Sequence, residues 1–501
     1  MLPSSLPMTV FEEYMLLDSS PIYPMECNCR LRFSGGFDHE IFETAMAEVL
    51  QNHPFLYSHC RERKNSRFNW EIPTFGPTLE ERIHHKEDWT EILGVRLIWL
   101  EGKCRTDEYP REVRKLLDIW NEAMIRFFVL EEKNENGKVV RSDFILKCHH
   151  SATDGKGVFR FIADLLIEYA RRKEGIEDPG WKNIPPIRPD ALLTRHWYGM
   201  GIWEWAKQIL FCVMNIPRSL RFLTRTVQPF FLKSIQQTEL MKKAKREGVQ
   251  IDSKLLPKDP PHEKFPTILF KKLPADESSR ILNRCREKQC TFNDVMLQAV
   301  WCGTKEWREK HADVAYTGPR KWIRLAIPLN MRHPSQEDSP ASNIVSMVFC
   351  DRQEPEIDTS DDFLRGIQKE MFHIKRFRLG FLLIDGMRDM VWIFGNLKKA
   401  VQMSDCWSSL VLTNLGPMFT PKQLPFPRNP QGKIQIGDLT LEEIDAASPI
   451  RPQTNFSICC MTYGGEMQFS MIYDTILMDR DLADDYFTIV LEKMKEILEM
   501  K

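Results

Sequence analysis

The sequence has 501 residues, of which 43% are hydrophobic and 28% are charged, a composition typical of folded globular domains. The 69 lysines and arginines almost balance the 70 aspartates and glutamates, which argues against nucleic-acid binding because such proteins usually carry a basic surface. A chain of this length exceeds one ordinary hydrophobic core, so we expect two lobes.

The pattern of cysteines and apolar residues favours a reduced, cytoplasmic protein. Residues Met1 to Met8 lack the basic stretch and apolar run of a secretory signal. The 13 cysteines form no metal-type pairs with a matching second half, so we expect free thiols. No run approaches the roughly 20 apolar residues that a transmembrane helix requires, so we expect at most a peripheral contact with a membrane.

In chain order, the first half alternates between strands and helices. β-branched and aromatic residues predict strands, and apolar residues at helical spacing predict helices. The predicted elements are a helix from Asp38 to about Gln51, strands at Met124 to Glu132 and Lys138 to His150, and a helix from about Gly155 to Arg172. Asn136 and Gly137 supply the positive-φ turn that a tight hairpin prefers. A short polar loop therefore joins the second hairpin strand to a helix.

A proline-rich stretch at residues 178–190 is typical of a domain boundary. From Trp197 to Gly248 the composition changes, because aromatic residues come first and cations accumulate after them. A second proline cluster at residues 257–261 closes this part. We therefore separate residues 186–262 as an aromatic and basic connecting segment.

After residue 263 the alternation resumes. The predicted elements are strands at Ile268 to Leu273, Trp322 to Leu329, Asn343 to Cys350, Ser409 to Asn414, Thr454 to Met461 and Glu466 to Tyr473, and helices at Ala275 to Gln289 and Arg480 to Glu499. Thr291 and Asp294 indicate a capping box at another helix start. No fixed-period repeat is present, which excludes solenoids and propellers. We predict an α/β chain with an N-terminal lobe at 1–185 and a C-terminal lobe at 263–501.

The segment from His149 to Gly155 is the one best suited to chemistry. Side chains alternate along a strand, so His149 and His150 point in opposite directions and one of them can enter a cleft. Asp154 stands where the next helix begins, and Gly155 lets the backbone approach a ligand closely. An exposed imidazole on a rigid strand suits general base catalysis.

The same residues also have an interpretation without chemistry. Most histidine pairs pack or face solvent, and a helix N-cap alone explains Asp154. The chain contains a second pair, His84 and His85, in a plainly charged and solvated context. Spacing alone therefore leaves both interpretations open.

Residues His149 to Gly155 match the pattern His-His-x-x-x-Asp-Gly, and other matching features lie before and after it in the expected order along the chain. These are Leu31 to Phe55 with His53 and Pro54, Ile327 to Arg332 followed by Ser342 to Ser346, Thr413 to Gly416, and Tyr463 to Gly465 with Tyr473 and Asp474. The chain resembles the chloramphenicol acetyltransferase-like superfamily, which includes nonribosomal peptide condensation domains. The resemblance covers most of the chain outside residues 190–262. It implies a two-layer α/β sandwich in two lobes, with an active-site tunnel between them.

The resemblance also implies a role for each matching residue. His150 would be the general base, and Asp154 would form an ion pair with Arg332 that shapes the loop. Gly155 would keep the tunnel open beside His150. The supporting residues would be His149, which packs, and the candidate oxyanion donors Asn330, Asn414 and the backbone amides near Gly416.

The implied reaction is acyl transfer from a thioester to a hydroxyl or amine. The donor would be acyl-coenzyme A or a phosphopantetheine thioester on a carrier protein, and no metal or permanently bound cofactor is expected. Two departures leave the branch of the superfamily open. The Asp-Phe-Gly-Trp-Gly motif of the plant branch is replaced by residues 414–417, and Ser342 stands where a glycine is common.

Three alternatives remain open at the level of sequence. Cys148 lies two residues before His150, so the pair could act as a covalent thioester hydrolase. His150 and Asp154 could bind a metal, although no third ligand is evident nearby. An inactive relative could serve as a binding module.

The connecting segment also has several interpretations. Its aromatic and cationic residues indicate a peripheral contact with anionic lipid, a lid over an apolar acyl chain, or contact with the phosphates of coenzyme A. A packed connection with a solvated basic face explains the composition equally well. We expect the segment to favour a hydrophobic substrate.

Overall fold

The computed structural model describes residues 2–21, 23–64, 67–73, 88–175, 184, 186–230, 267–401, 406–475 and 477–499. The solvated pair His84 and His85 lies outside these residues, as does the second half of the connecting segment with its lysines at 233–245. In the described part of the chain, no helix is both long enough and apolar enough to cross a bilayer.

The N-terminal lobe packs helices against one face of a mixed sheet. Its elements are β1 (Ser5–Pro7), α1 (Val10–Asp18), β2 (Glu26–Ser34), α2 (His39–Gln51), β3 (His59–Glu62), β4 (Phe68–Glu71), α3 (Trp89–Leu93), β5 (Arg96–Glu101), α4 (Arg111–Arg114), β6 (Ile125–Lys133), β7 (Val139–His149) and α5 (Gly155–Glu174). Helices α2 and α5 bury their apolar faces on β2, β6 and β7. Asp38 caps α2, as its sequence position predicts.

The C-terminal lobe has the same two-layer plan. Its elements are β8 (Ile268–Leu273), α8 (Ala275–Glu287), α9 (Phe292–Lys310), β9 (Trp322–Asn330), β10 (Val345–Gln353), α10 (Asp361–Arg376), α11 (Phe381–Phe394), α12 (Lys398–Val401), β11 (Leu410–Pro417), β12 (Gln435–Ile436), β13 (Leu439–Ala447), β14 (Phe456–Tyr463), β15 (Glu466–Tyr473) and α13 (Arg480–Ile497). The strand order β10-β9-β11-β14-β15-β8 gives one sheet. Helices α9, α10 and α13 cover it.

The N-terminal sheet is completed by strands from the second half of the sequence. Strands β12 and β13 come from the second half of the sequence, but they extend the N-terminal sheet in the order β12-β13-β2-β7-β6-β5. Strand β13 pairs antiparallel with β2, and Arg30 in β2 binds Asp445 in β13 at 2.6 Å. A chain segment from each half therefore completes the same sheet.

The C-terminal sheet presents two different faces. Along β9, Leu325 and Ile327 enter the core beneath the helices, whereas Ala326 and Pro328 point to the space between the lobes. This is the alternation expected for a strand. The sheet therefore serves as a core layer on one side and as the wall of a cleft on the other.

The described half of the connecting segment is helical and is tied to the N-terminal lobe. It contains a 3₁₀ helix at Pro189–Trp197, α6 (Ile202–Met214) and α7 (Ile216–Thr224). Arg195 is buried and forms an ion pair with the buried Glu12 in α1, with Nε 3.0 Å from the carboxylate. Arg195 also donates to the carbonyl oxygens of Leu192 and Pro7.

Loss of the buried Arg195–Glu12 pair should destabilise the fold strongly. Arg195→Met leaves the Glu12 carboxylate buried without its cation, and we expect a loss of about 3–5 kcal/mol in the free energy of unfolding by denaturant titration. Arg188→Met is the matched control, because Arg188 pairs with Asp338 while its own side chain is 51% exposed. We expect about 0–1 kcal/mol there. Equal losses in the two variants would contradict this account.

Candidate active site

The histidine pair lies where β7 ends, and its two imidazoles face different surroundings. His149 is buried, and its Nδ1 lies 2.7 Å from the hydroxyl oxygen of Ser151. His150 instead lines a cavity of about 290 Å³ between the lobes, which we call the central cavity. Strand alternation predicts this difference, because consecutive side chains point to opposite faces.

Both lobes contribute to the walls of the central cavity. The N-terminal lobe supplies Met25, Cys27 and Phe159, and the C-terminal sheet supplies its open face. The predicted site residues that line this cavity together are His150, Asp154, Gly155, Asn330, Arg332 and Asn414. His149 is the one predicted site residue that does not line it.

The backbone of His150 is held from both lobes. Its N–H donates to the carbonyl oxygen of Met25 at 2.7 Å. Its carbonyl oxygen accepts a hydrogen bond from Nδ2 of the buried Asn343 at 2.6 Å. Asn343 precedes β10, so the C-terminal lobe fixes the residue that follows β7. This contact spans 193 positions, so no local sequence pattern predicts it.

Asp154 is the N-cap of α5 and also the centre of a buried ionic contact. Its Oδ1 accepts the N–H of Gly157 at 2.9 Å. Its Oδ2 accepts hydrogen bonds from Nη1 of Arg332 at 2.7 Å and from the backbone N–H of Ile344 at 2.8 Å. Both side chains are almost completely buried. Burial raises the pKa of Asp154, but Arg332 and the hydrogen bonds outweigh it and the net pKa is lowered.

Residues 341–344, which we call the crossing segment, run from the C-terminal lobe across the N-terminal one. The N–H of Ala341 donates to Nδ1 of the buried His53 at 2.9 Å. The carbonyl oxygen of Ser342 accepts a hydrogen bond from Nη2 of Arg332 at 2.8 Å. The crossing segment therefore carries contacts to His53, His150 and Asp154 within four residues.

Two glycines near the motif differ in how tightly they are packed. A Cβ on Gly157 would lie 2.9 Å from the backbone nitrogen and 3.1 Å from the backbone oxygen of Ser342. A Cβ on Gly155 would meet only the flexible Leu415 side chain, at 3.0 Å. Gly155 does line the central cavity, but Gly157, which sequence reasoning missed, is packed more tightly, against Thr153 of its own loop and the backbone of Ser342 from the other lobe.

Burial sets the protonation state of both imidazoles. It lowers the pKa of His149 to about 3, and the neighbouring His150 adds to that effect. Burial also lowers the pKa of His150, opposed by the backbone carbonyls of His150 and Thr153 and by the Asp154 carboxylate. The Nδ1 of His150 completes a hydrogen bond to none of the described residues. Both imidazoles are therefore neutral at pH 7, the state in which a histidine can accept a proton.

The candidate oxyanion donors are differently placed. Oδ1 of Asn330 accepts hydrogen bonds from Arg332, which leaves its amide group at the cavity wall. Asn414 lies at a bulge in β11, where its Oδ1 accepts a hydrogen bond from the backbone N–H of Gly416 at 2.9 Å, so the Gly416 amide is already used. The Nδ2 of Asn414 lies 3.5 Å from Oδ1 of Asn293. Thr413, which lies in the matching segment Thr413 to Gly416 but was not among the predicted donors, lines the cavity and has a buried hydroxyl without a hydrogen-bond partner among the described residues.

The burial of Cys148 and Cys27 bears on whether either thiol can act as a nucleophile. Cys148 is completely buried in the N-terminal core and does not line the central cavity. Cys27 does line it, but its hydrogen bond with Cys148 and its burial raise its pKa well above the usual range. Such a thiol carries little nucleophilic thiolate. Within the described residues, no three His, Cys, Asp or Glu side chains are arranged to bind a metal ion.

Comparisons by sequence find no matching family model and no matching curated protein. Comparison with solved structures finds matches over the full chain. The trichothecene 15-O-acetyltransferase TRI3 from Fusarium sporotrichioides matches with a TM-score of 0.62 at 12% identity, over 98% of this chain and 95% of its own. The condensation domain of the monacolin K polyketide synthase MokA also gives 0.62, at 11% identity, over 99% and 98%.

The epimerization domain of tyrocidine synthetase B, TycB3(E), is a third match. Its TM-score is 0.60 at 10% identity, over 100% of this chain and 99% of its own. One fold thus occurs in proteins whose names give different reactions, so the fold alone does not fix the chemistry. These matches confirm the resemblance inferred from the motifs: the chain has the two-lobed α/β fold of condensation domains and chloramphenicol acetyltransferase-like acyltransferases.

Proposed function

We propose that this protein transfers an acyl group from a thioester donor to a hydroxyl or amine acceptor, with His150 as the general base. One observation carries the proposal. His150 combines a lowered pKa with a position in the cavity between the lobes, while its backbone is bound from both sides. A rigidly held, neutral imidazole at a substrate-sized cavity suits proton transfer. His149 has no such position and is assigned a packing role.

The proposed reaction needs no covalent enzyme intermediate. His150 takes the proton of the acceptor as its oxygen or nitrogen attacks the thioester carbonyl. The carbon–sulfur bond then breaks, and the imidazolium returns the proton to the departing thiolate. The Asp154–Arg332 pair takes no proton in this scheme; it positions the loop that carries His150.

The oxyanion of the tetrahedral intermediate needs hydrogen-bond donors at about 2.7–3.1 Å. We assign this role to the Thr413 hydroxyl and the Asn330 amide, which both belong to the cavity wall formed by the C-terminal sheet. Thr413 is supported by its unused hydroxyl group. Thr413→Val removes that group at nearly constant volume, so an unchanged kcat would eliminate Thr413 from the role.

Coenzyme A and a carrier-bound phosphopantetheine are both candidate donors, because each ends in a thioester beyond a phosphate group. Lys156 follows Gly155 and lies exposed at the central cavity, where it can meet a phosphate. All 13 cysteines are free, which supports a reducing, cytoplasmic location as part of the proposal. An acyl carrier protein is the macromolecular partner that a carrier-bound donor would require.

Replacement of His150 should abolish acyl transfer without unfolding the protein. Release of free thiol is followed with a panel of acyl-coenzyme A and acyl-phosphopantetheine donors and pooled alcohols and amines. We expect His150→Ala to lower the rate by roughly 10²–10⁴ relative to wild type, the usual contribution of a general base. His373→Ala is the matched control, because His373 is exposed and lies outside the central cavity. Equal rates in wild type and His150→Ala would refute the role of His150.

The described half of the connecting segment supports a further part of the proposal, a peripheral contact with anionic lipid. Ile202, Trp203 and Leu223 on α6 and α7 are 80%, 84% and 68% exposed, and Trp392 on α11 is 87% exposed. Lys207 and Arg221 are exposed on the same two helices. Apolar residues interleaved with cations are typical of helices that lie on a membrane surface.

Sedimentation with lipid vesicles tests this contact. We expect binding to vesicles that contain phosphatidylserine, and a fall of more than tenfold for Trp203→Ser/Trp392→Ser, since each tryptophan would remove on the order of 200 Å² of apolar surface from water. Trp120→Ser replaces a tryptophan that is 50% exposed elsewhere and should bind as wild type does. Identical partition of all three proteins would exclude this surface.

A further inference from the structure

A second and larger cavity lies beside the central one, and the proposed reaction makes no use of it. Its volume is about 1140 Å³, against about 290 Å³ for the central cavity. It is enclosed by α6 and α7, by α11, and by the outward side of the edge strand β10, and we call it the side cavity. Four residues line both cavities: Tyr14, Met347, Phe349 and Trp407. The two spaces therefore share a wall of side chains.

Most of the side-cavity surface is hydrocarbon, although the lining residue Trp205 has a buried indole Nε1 without a hydrogen-bond partner among the described residues. Strand alternation along β10 turns Met347 and Phe349 towards it, opposite the side chains that enter the C-terminal core. Leu383 on α11 and Trp205 and Ile209 on α6 add apolar surface. An apolar ligand fits such a lining better than a charged one, because removing its surface from water is favourable and breaks no hydrogen bonds between ligand and water.

Both cations that line the side cavity are paired within the protein. Arg218 binds Glu370 at 2.7 Å. Arg388 binds Asp385 at 3.0 Å and donates to the carbonyl oxygen of His196 at 2.7 Å. Their hydrogen-bonding capacity is thus directed into the protein. A phosphate or carboxylate would have to displace these contacts, so the charges do not indicate an anion site.

Trp407 forms the partition between the two cavities. Its ring stacks on Tyr14, with centroids 5.4 Å apart and planes 4° apart, and Arg451 lies 4.6 Å over it. Asp18 holds both neighbours, since it binds Arg451 at 2.9 Å and accepts the Tyr14 hydroxyl at 3.2 Å. A hydrocarbon chain of a ligand that passes the Trp407 ring would extend from the side cavity to the central cavity.

The other end of the side cavity reaches the protein surface. Ile209, Val213 and Leu223 line it and are also 55%, 55% and 68% exposed. This opening lies among the exposed apolar residues of α6 and α7. An apolar chain can therefore enter from outside without crossing the buried ion pairs of the lobes.

We propose that the side cavity binds the extended hydrocarbon part of one substrate, while its reacting group passes Trp407 to reach His150. The inference rests on the proposed acyl transfer and names its substrate class, a long-chain acyl group or a long-chain acceptor. The volumes of the two cavities support this assignment of the reacting group to one and the hydrocarbon part to the other. The central cavity is at the small end of the 300–1,000 Å³ typical of ligand pockets and holds the reacting atoms, whereas the side cavity exceeds that range. Each methylene buried there tightens binding about fourfold.

Binding is tested without turnover, in a His150→Ala background. The probe is 11-(dansylamino)undecanoic acid, whose fluorescence reports its transfer to an apolar site. Leu383→Trp fills the side cavity, and we expect it to raise the Kd of the probe by at least about tenfold. Ile209→Trp fills it from α6 and should do the same, which guards against misfolding of one variant. Leu282→Trp is the control, because Leu282 is also a half-buried leucine but lines neither cavity.

Kinetics with His150 intact distinguish whether the hydrocarbon chain in the side cavity belongs to the acyl group or to the acceptor. If the cavity takes the acyl group, Leu383→Trp raises KM for hexadecanoyl-coenzyme A and leaves KM for acetyl-coenzyme A unchanged. If it takes the acceptor, the same variant raises KM for hexadecanol or hexadecylamine with acetyl-coenzyme A. An unchanged probe Kd in both Leu383→Trp and Ile209→Trp overturns the inference. Absence of thiol release with every substrate pair overturns the proposed function instead, because probe binding does not depend on it.

Discussion

The buried ion pair between Asp154 and Arg332 is the interaction on which the arrangement of the candidate site depends. It joins Asp154, the last residue of the loop between β7 and α5, to a residue of the other lobe, and both side chains are almost completely buried. Such a pair is costly to bury unless each partner is fully hydrogen-bonded. Here Asp154 also accepts two backbone N–H groups, and Arg332 also donates to Ser342. The pair therefore fixes where the lobes meet rather than adding a large net stability.

The rest of the site follows from that fixed contact. The crossing segment is held against the N-terminal lobe, so Asn343 reaches the backbone of His150 and Gly157 must lack a side chain. The lobes diverge beyond this point, and the open face of the C-terminal sheet becomes the wall of the central cavity. Its edge strand β10 continues outward beneath the connecting segment, which creates the side cavity. One sheet face thus forms part of the wall of both cavities.

Much of the local structure was predictable from the sequence, but the contacts between distant residues were not. The strands Ile268–Leu273 and Glu466–Tyr473 have the predicted bounds, and the opposite orientation of His149 and His150 followed from strand periodicity. Pairing of β13 with β2, however, joins residues about 400 positions apart and leaves no periodic signal. The same holds for Asn343 and Trp407, whose surroundings come from several elements. The pairing of Arg332 with Asp154 was expected only through resemblance to a family, and the geometry agrees with it.

A double-mutant cycle on Asp154 and Arg332 tests the central claim most directly. Asp154→Asn, Arg332→Met and the double variant are compared with wild type in the free energy of unfolding and in kcat/KM for thiol release. The account predicts that each single change costs nearly as much as both together, with a coupling energy of about 2–3 kcal/mol, since either one leaves the other group buried and unpaired. Effects that add to within about 0.5 kcal/mol would contradict it, because the two residues would then act independently.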